Sequence, residues 1–168
     1  PLVFALHHFE EHIVFNFREW RLKYFLDNNM LSTEEVLIRL ISLLLIIIII
    51  HIIKKNRGSA HVVMFFLMTT QVVNAFFHIF FSLYFLDFSP GAITAVLLYL
   101  PANYLIFRAA FLEGYLSSIS ELLLIFLAAM LTFSLFELMG PIVIGYSVLL
   151  MPFYYFLINR IKVEAIEK

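Results

Sequence analysis

The run "LISLLLIIIIIHII", residues 40–53, restricts this chain more than any other feature it has. A stretch with no charge and a single histidine cannot be screened from water by its own side chains, and "VLLYLPANYLIF" at 96–107 poses the same problem again. Hydrophobic residues make up 63% of the 168 residues and charged ones 14%, against about 45–50% and about 25% in soluble domains. So little polar surface cannot cover so much apolar surface, and the chain is expected to be an integral membrane protein. A net charge of −1 argues against a nucleic-acid partner. With no cysteine, disulfides, thiolate metal sites and cysteine nucleophiles are excluded. No basic stretch precedes the first apolar run, so no cleavable signal is expected.

A helix crossing hydrocarbon needs about 20 mostly apolar residues. Residues 36–53, 60–86, 119–139 and 142–158 meet that need. A further segment, 92–112, is interrupted by Pro101, which should kink the helix and free a carbonyl. The first segment, from Pro1 to about Phe17, carries most of the polar residues found within any span. The expected fold is all-α: one polytopic transmembrane bundle over residues 1–168, of about six helices, with five or a re-entrant fourth segment as alternatives. Six spans put Lys54, Lys55, Arg57, Arg108, Arg160, Lys162 and Lys168 on one side, and Arg18, Arg21, Lys23 and Arg39 on the other, dividing the 11 basic residues seven to four. That bias favours both termini in the cytoplasm of a cell with the site in its plasma membrane.

Within this apolar chain, "HHFEEH" places three histidines and two glutamates at residues 7–12. Ionisable groups inside a span are costly and mark functional sites by default. If the first helix surfaces near Arg18, then His7 to Glu11 lie ~10–16 Å below that boundary. If the third surfaces near Asp87, His78 lies ~13 Å and Asn74 ~20 Å below it. The two polar groups therefore share a depth, near the outer face. They share facing as well: His7, Glu10 and Glu11 fall on one side of their helix, and Thr70, Gln71, Asn74 and His78 occupy one arc of theirs.

Imidazole nitrogen combined with carboxylate oxygen suits zinc, iron or manganese. His7, Glu11 and His78 are the expected ligands of a divalent cation, zinc in preference to iron, with a coordination position left open. Glu10 or Glu11 is the expected general base, and Asn74 the group orienting a substrate oxygen. An overlapping frame, His8, Glu11 and His12, matches H-x-x-E-H and forms an alternative metal site. The competing structural reading is a His–Glu–Asn network that only ties helices together.

At these residues the sequence resembles the HXXEE-domain family of integral membrane proteins. The motif stands as His7-His8-Phe9-Glu10-Glu11, the N-x-x-x-H element as Asn74 to His78, and the Y-x-P-G element as Phe88-Ser89-Pro90-Gly91, followed by Thr94. Phe88 departs from the tyrosine of that pattern, so it is given no chemical role, and Ser89 is a candidate replacement for the hydroxyl. The resemblance implies a membrane-embedded, metal-dependent enzyme and brings no substrate with it.

Elsewhere, Ser89 and Pro90 read as the entry to a helix. His51 and His61, beside the basic turn "KKNRGSA", read as interfacial residues, and Glu113 and Glu121 as solvated. Glu137 reads as marking the outer interface. No lysine lies mid-span, so a retinal Schiff base is excluded. The expected function is hydrolysis of a lipid or amphiphilic substrate by a metal-dependent membrane enzyme. A non-haem iron lipid oxidase, a metal-ion or proton transporter, and a non-catalytic membrane subunit remain as alternatives. Oligomeric state is open.

Overall fold

In the computed structural model the described residues are 1–27 and 31–161. The polar tail from Lys162 to Lys168 lies outside them, as does part of the link after Asp27. The described chain is helical throughout. Helix α1 covers residues 2–14, regular over Leu2–Phe9 and π-helical over Glu10–Val14. It is followed by α2 (Phe17–Tyr24), α3 (Thr33–Lys54), α4 (Arg57–Tyr84), α5 (Ala92–Leu112), α6 (Ile119–Met139) and α7 (Ile142–Arg160). The last five, α3 to α7, are each long and apolar enough to cross a membrane.

Local chemistry sets the boundaries. Ser32 and Glu35 form a capping box at the start of α3, and Asn56 and Ser59 do the same for α4. Ser118 accepts the Glu121 amide at the start of α6. Gly140, at φ 74°, turns α6 into α7. The first segment does not continue as a single span. The chain is extended at Phe15, and the Asn16 side chain accepts the Glu19 amide at 3.1 Å, which starts α2 as a separate helix. Trp20 on α2 is buried among Phe17, Phe77 and Phe85, while Arg18, Glu19 and Lys23 stay exposed. That pairing of an aromatic face with a charged face belongs at a membrane–water boundary. The Tyr24 hydroxyl donates to Asp87 at 2.8 Å, and this bond raises its pKa above the ordinary phenol value.

Helix α4 is the centre of the bundle. In its most apolar stretch 56% of residues are buried inside the protein, against 11% for both α6 and α7. One apolar cluster joins α1, α3, α4 and α5 through Phe4, Leu44, Phe66, Ala75, Ala95 and Tyr99. A second joins α4, α5 and α6 through Met64, Met68, Val73, Phe107, Ile125 and Ala129. Ala75, Ala95 and Ala129 have no exposed surface, as expected where small residues let helices approach in a membrane.

Three helices carry a π-helical turn: Glu10–Val14 in α1, Met68–Val73 in α4 and Ala95–Tyr99 in α5. Among the described residues α2, α3, α6 and α7 carry none. Such turns are uncommon and tend to occur at functional sites. In α5 the departure from regular geometry comes just before Pro101. The π turn thus widens the backbone directly ahead of the one residue of α5 that has no N–H to donate and whose ring crowds the preceding turn.

Candidate functional site

The three helices with π turns converge on one cluster. His7 and Glu11, one turn apart on α1, meet His78 of α4 beneath the loop that leads into α5. The Glu11 Oε1 atom lies 3.4 Å from His7 Nε2 and 3.1 Å from His78 Nε2. Both imidazoles are fully buried and Glu11 is 3% exposed. Both Nε2 atoms are thus within ion-pair distance of that oxygen, yet neither has hydrogen-bond geometry to it or to any other acceptor among the described residues. Buried polar atoms seldom go unpaired in this way, and each such atom calls for an explanation.

The opposite edge of each ring is held. His7 Nδ1 lies 2.9 Å from Thr94 Oγ1, and His78 Nδ1 lies 2.8 Å from Ser89 Oγ. Thr94 donates its own hydroxyl proton to the Gly91 carbonyl at 3.3 Å. Its oxygen is then left to accept from His7 Nδ1–H, so the His7 Nε2 lone pair points at the cluster. A hydroxyl or carboxylate on the distal ring nitrogen is how metal-binding histidines are fixed in tautomer and orientation. The Tyr99 ring packs on His7 at 4.2 Å and walls off one side.

The fit to a cation is close in donor type and spacing. Four-coordinate zinc with ligand bonds of about 2.0–2.1 Å separates its donors by roughly 3.3 Å, and the two contacts to Glu11 Oε1 bracket that value. Gly91 makes the convergence possible. Its φ is +98°, and a Cβ there would sit 2.9 Å from Glu11 Cγ, His7 Cε1 and His78 Cε1. No residue with a side chain fits at that point.

Glu10 has a different environment from its neighbour. Its Oε1 accepts the amides of Gly91 at 3.1 Å and Ile93 at 3.2 Å, and its Oε2 accepts that of Thr94 at 2.7 Å. A carboxylate at a helix N-terminus satisfies orphan donors and complements the helix dipole. Glu10 therefore docks α5 onto α1, which brings Thr94 to His7. With both oxygens taken by backbone donors, it is poorly suited to the role of general base expected from the sequence.

The alternative frame is also assembled, on the other oxygen of the same carboxylate. Glu11 Oε2 lies 2.7 Å from His8 Nδ1 and 3.6 Å from His12 Nε2. The His8 and His12 rings stack at 5.8 Å, nearly parallel. His8, Glu11 and His12 then open onto a cavity of about 210 Å³ between helices. Its wall is mostly apolar, with Phe65, Phe77, Phe133 and Met151, and Thr70 and Asn74 are among its polar groups. Asn74 lies on this wall with its Oδ1 buried and unpartnered. It faces the cavity and makes no bond to the His7–Glu11–His78 group.

His61, one turn into α4, is fully buried, 3.1 Å from Tyr154 Oη and 3.0 Å from the Tyr115 carbonyl. One expectation needs correction. Glu121 is not simply solvated: it pairs with Arg57, lies 3.3 Å from His61 and accepts from Ser117. On α5, Asn103 faces inward, donating to Gln71 Oε1 at 2.7 Å, while Tyr104 and Arg108 point outward. The sequence reading also missed what Thr94 and Gly91 do. Their position three and zero residues past the Pro-Gly turn was the available signal. Phe88 is 44% exposed and packs on Phe15, so the hydroxyl at this corner of the site is that of Ser89.

The family described as "Protein of unknown function with HXXEE motif" matches residues 1–106. No curated protein and no solved structure matches the chain. The matched region holds His7, Glu10, Glu11, His78, Ser89, Gly91 and Thr94, and the chain belongs to this HXXEE family.

Proposed function

With membership of the HXXEE family as premise, we propose that the chain is a metal-dependent membrane enzyme that hydrolyses a lipid or amphiphilic substrate. His7, His78 and Glu11 hold a divalent cation, zinc in preference to iron. One observation carries this reading: two fully buried imidazoles aim unpaired Nε2 atoms at one carboxylate oxygen, and hydroxyls hold their opposite edges. A divalent cation held there would supply Lewis acidity beside Glu11, whose other oxygen borders the cavity.

The remaining steps fall to the chain's own groups. The apolar cavity takes the hydrocarbon part of an amphiphile and leaves the headgroup beside Glu11. Asn74 Oδ1 receives a hydroxyl or N–H of that headgroup. Glu11 would give Oε1 to the cation and turns Oε2 toward His8 and His12 at the edge of the cavity. Glu10 is reassigned from base to positioning residue. The basic residues Lys54, Lys55, Arg57 and Arg160 gather at the far end of the bundle, which supports a plasma-membrane orientation with the site toward the outer face.

Metal analysis of detergent-purified protein tests the reading. Stoichiometric zinc, reduced by one ion per chain in both His7→Ala and His78→Ala, supports it. Iron in place of zinc turns the chemistry toward oxidation of the lipid chain. No metal in the wild type, with lower thermal stability in both variants, leaves a structural His–Glu–Asn network. The buried Gln71–Asn103 pair below the site favours a second reading, a carrier that passes metal ions or protons onward. Metal-dependent flux across liposomes would select that alternative.

A further inference from the structure

The sequence presents His7–Glu11–His78 and His8–Glu11–His12 as competing frames. In space they do not compete. The first set meets Glu11 at Oε1 and the second at Oε2, and no imidazole is shared between them. We propose that the Glu11 carboxylate bridges two divalent cations, a buried one on His7 and His78 and a cavity-facing one on His8 and His12. This deepens the enzymatic reading above and rests on it.

Several independent features point to the second cation. His8 turns its Nδ1 to Glu11 Oε2 at 2.7 Å, and His12 brings its Nε2 within 3.6 Å of the same oxygen. The His8 and His12 rings lie 9° from parallel, one turn apart, and present nitrogens to the same oxygen. The four imidazoles around Glu11 divide evenly, two on each oxygen, which is the arrangement one carboxylate needs to serve two ions. A carboxylate bonded through both oxygens holds two ions about 3.5–4 Å apart, the spacing of two-metal hydrolytic centres.

The positions of the two sets also divide the work. His7 and His78 have no exposed surface, whereas His8 is 16% and His12 20% exposed and both line the cavity. The inner ion is sealed, and the outer one faces whatever enters. Two divalent ions sharing one bridging carboxylate leave a cationic centre, which favours an anionic oxygen as the remaining donor. The substrate class therefore narrows to amphiphiles whose headgroup carries an anionic oxygen.

The test is a metal titration of the full chain in detergent, using Co²⁺ for its ligand-field spectrum and Mn²⁺ for its magnetic resonance. The expected result is two ions per chain, with Mn²⁺ giving an exchange-coupled signal that needs no variant to interpret. His12→Ala should hold one ion and give an uncoupled signal, and His78→Ala should also retain a single ion. One ion in the wild type, with affinity unchanged in His12→Ala, would overturn the bridge and leave the single-metal enzyme standing. One ion lost in His12→Ala but kept in His78→Ala would also overturn it, leaving the outer frame alone. No bound ion at all would instead remove the enzymatic reading itself.

Discussion

Each end of this bundle buries histidine completely, yet the two ends are built on opposite plans. At one end His61 sits among Tyr154, Tyr115 and the Arg57–Glu121 pair, with both ring nitrogens bonded. At the other, His7 and His78 have one nitrogen bonded and one not, and they converge beside a cavity. Burial is the same at 0%. Satisfaction differs. A buried imidazole whose hydrogen bonds are complete fastens helices, here α4 to α7 and to the link before α6. One left incomplete beside a carboxylate has capacity for a ligand. The lesson is to count unpaired atoms rather than buried histidines.

Removing the shared carboxylate should separate the two ends most sharply. Glu11→Gln keeps the shape and takes away the charge, and it is expected to abolish stoichiometric metal, read by elemental analysis, while the His61 end stays intact. Retained metal would break the comparison at once. At the other end, Arg57→Ala leaves Glu121 without its cation. Breaking this partly buried pair from one side is expected to cost about 1–3 kcal/mol, seen as a lower melting temperature in detergent with metal content unchanged. Loss of metal in that variant would show that the two ends are coupled.

Smaller changes sharpen the contrast. Ser89→Ala and Thr94→Val each remove a hydroxyl that holds a ring edge, and metal affinity should fall about 10–100-fold, measured by competition with a chelator. Equal loss of stability without loss of affinity would make these hydroxyls fasteners too. The smallest effect is expected from Phe88→Tyr. At 44% exposure its added hydroxyl reaches solvent rather than the cluster, so stability should change by less than about 0.5 kcal/mol and metal affinity not at all. A marked gain in affinity would mean that the tyrosine of the family pattern reaches the site after all.

Much of the site can be read from the sequence, because depth and facing are arithmetic. The rise of a helix and the places where α1 and α4 surface bring His7, Glu11 and His78 to one level, and the structure joins them there. Glu10 shows where such arithmetic fails. It shares a helix face with His7, yet its partners are backbone amides more than 80 residues away, and side-chain spacing carries no information about them. Asn16 is a different kind of omission. With Glu19 three residues later it carries the N-cap signature that opens α2, a helix beyond the first segment, which is read only to about Phe17. His61 was assigned by its neighbours in sequence, whereas Tyr154 and Tyr115 decide its surroundings.

The π turns carry a consequence for how this protein tolerates change. Each of the three helices at the site is one residue longer than a regular spiral through the same points would be. Winding residues 68–73 as an ordinary helix without removing one would improve the backbone hydrogen bonds of α4. It would also swing Asn74 and His78 about 100° around the axis, carrying the imidazole away from Glu11. A locally better-formed helix would then give a molecule that has lost its centre, so any gain in backbone regularity here comes at the expense of the site.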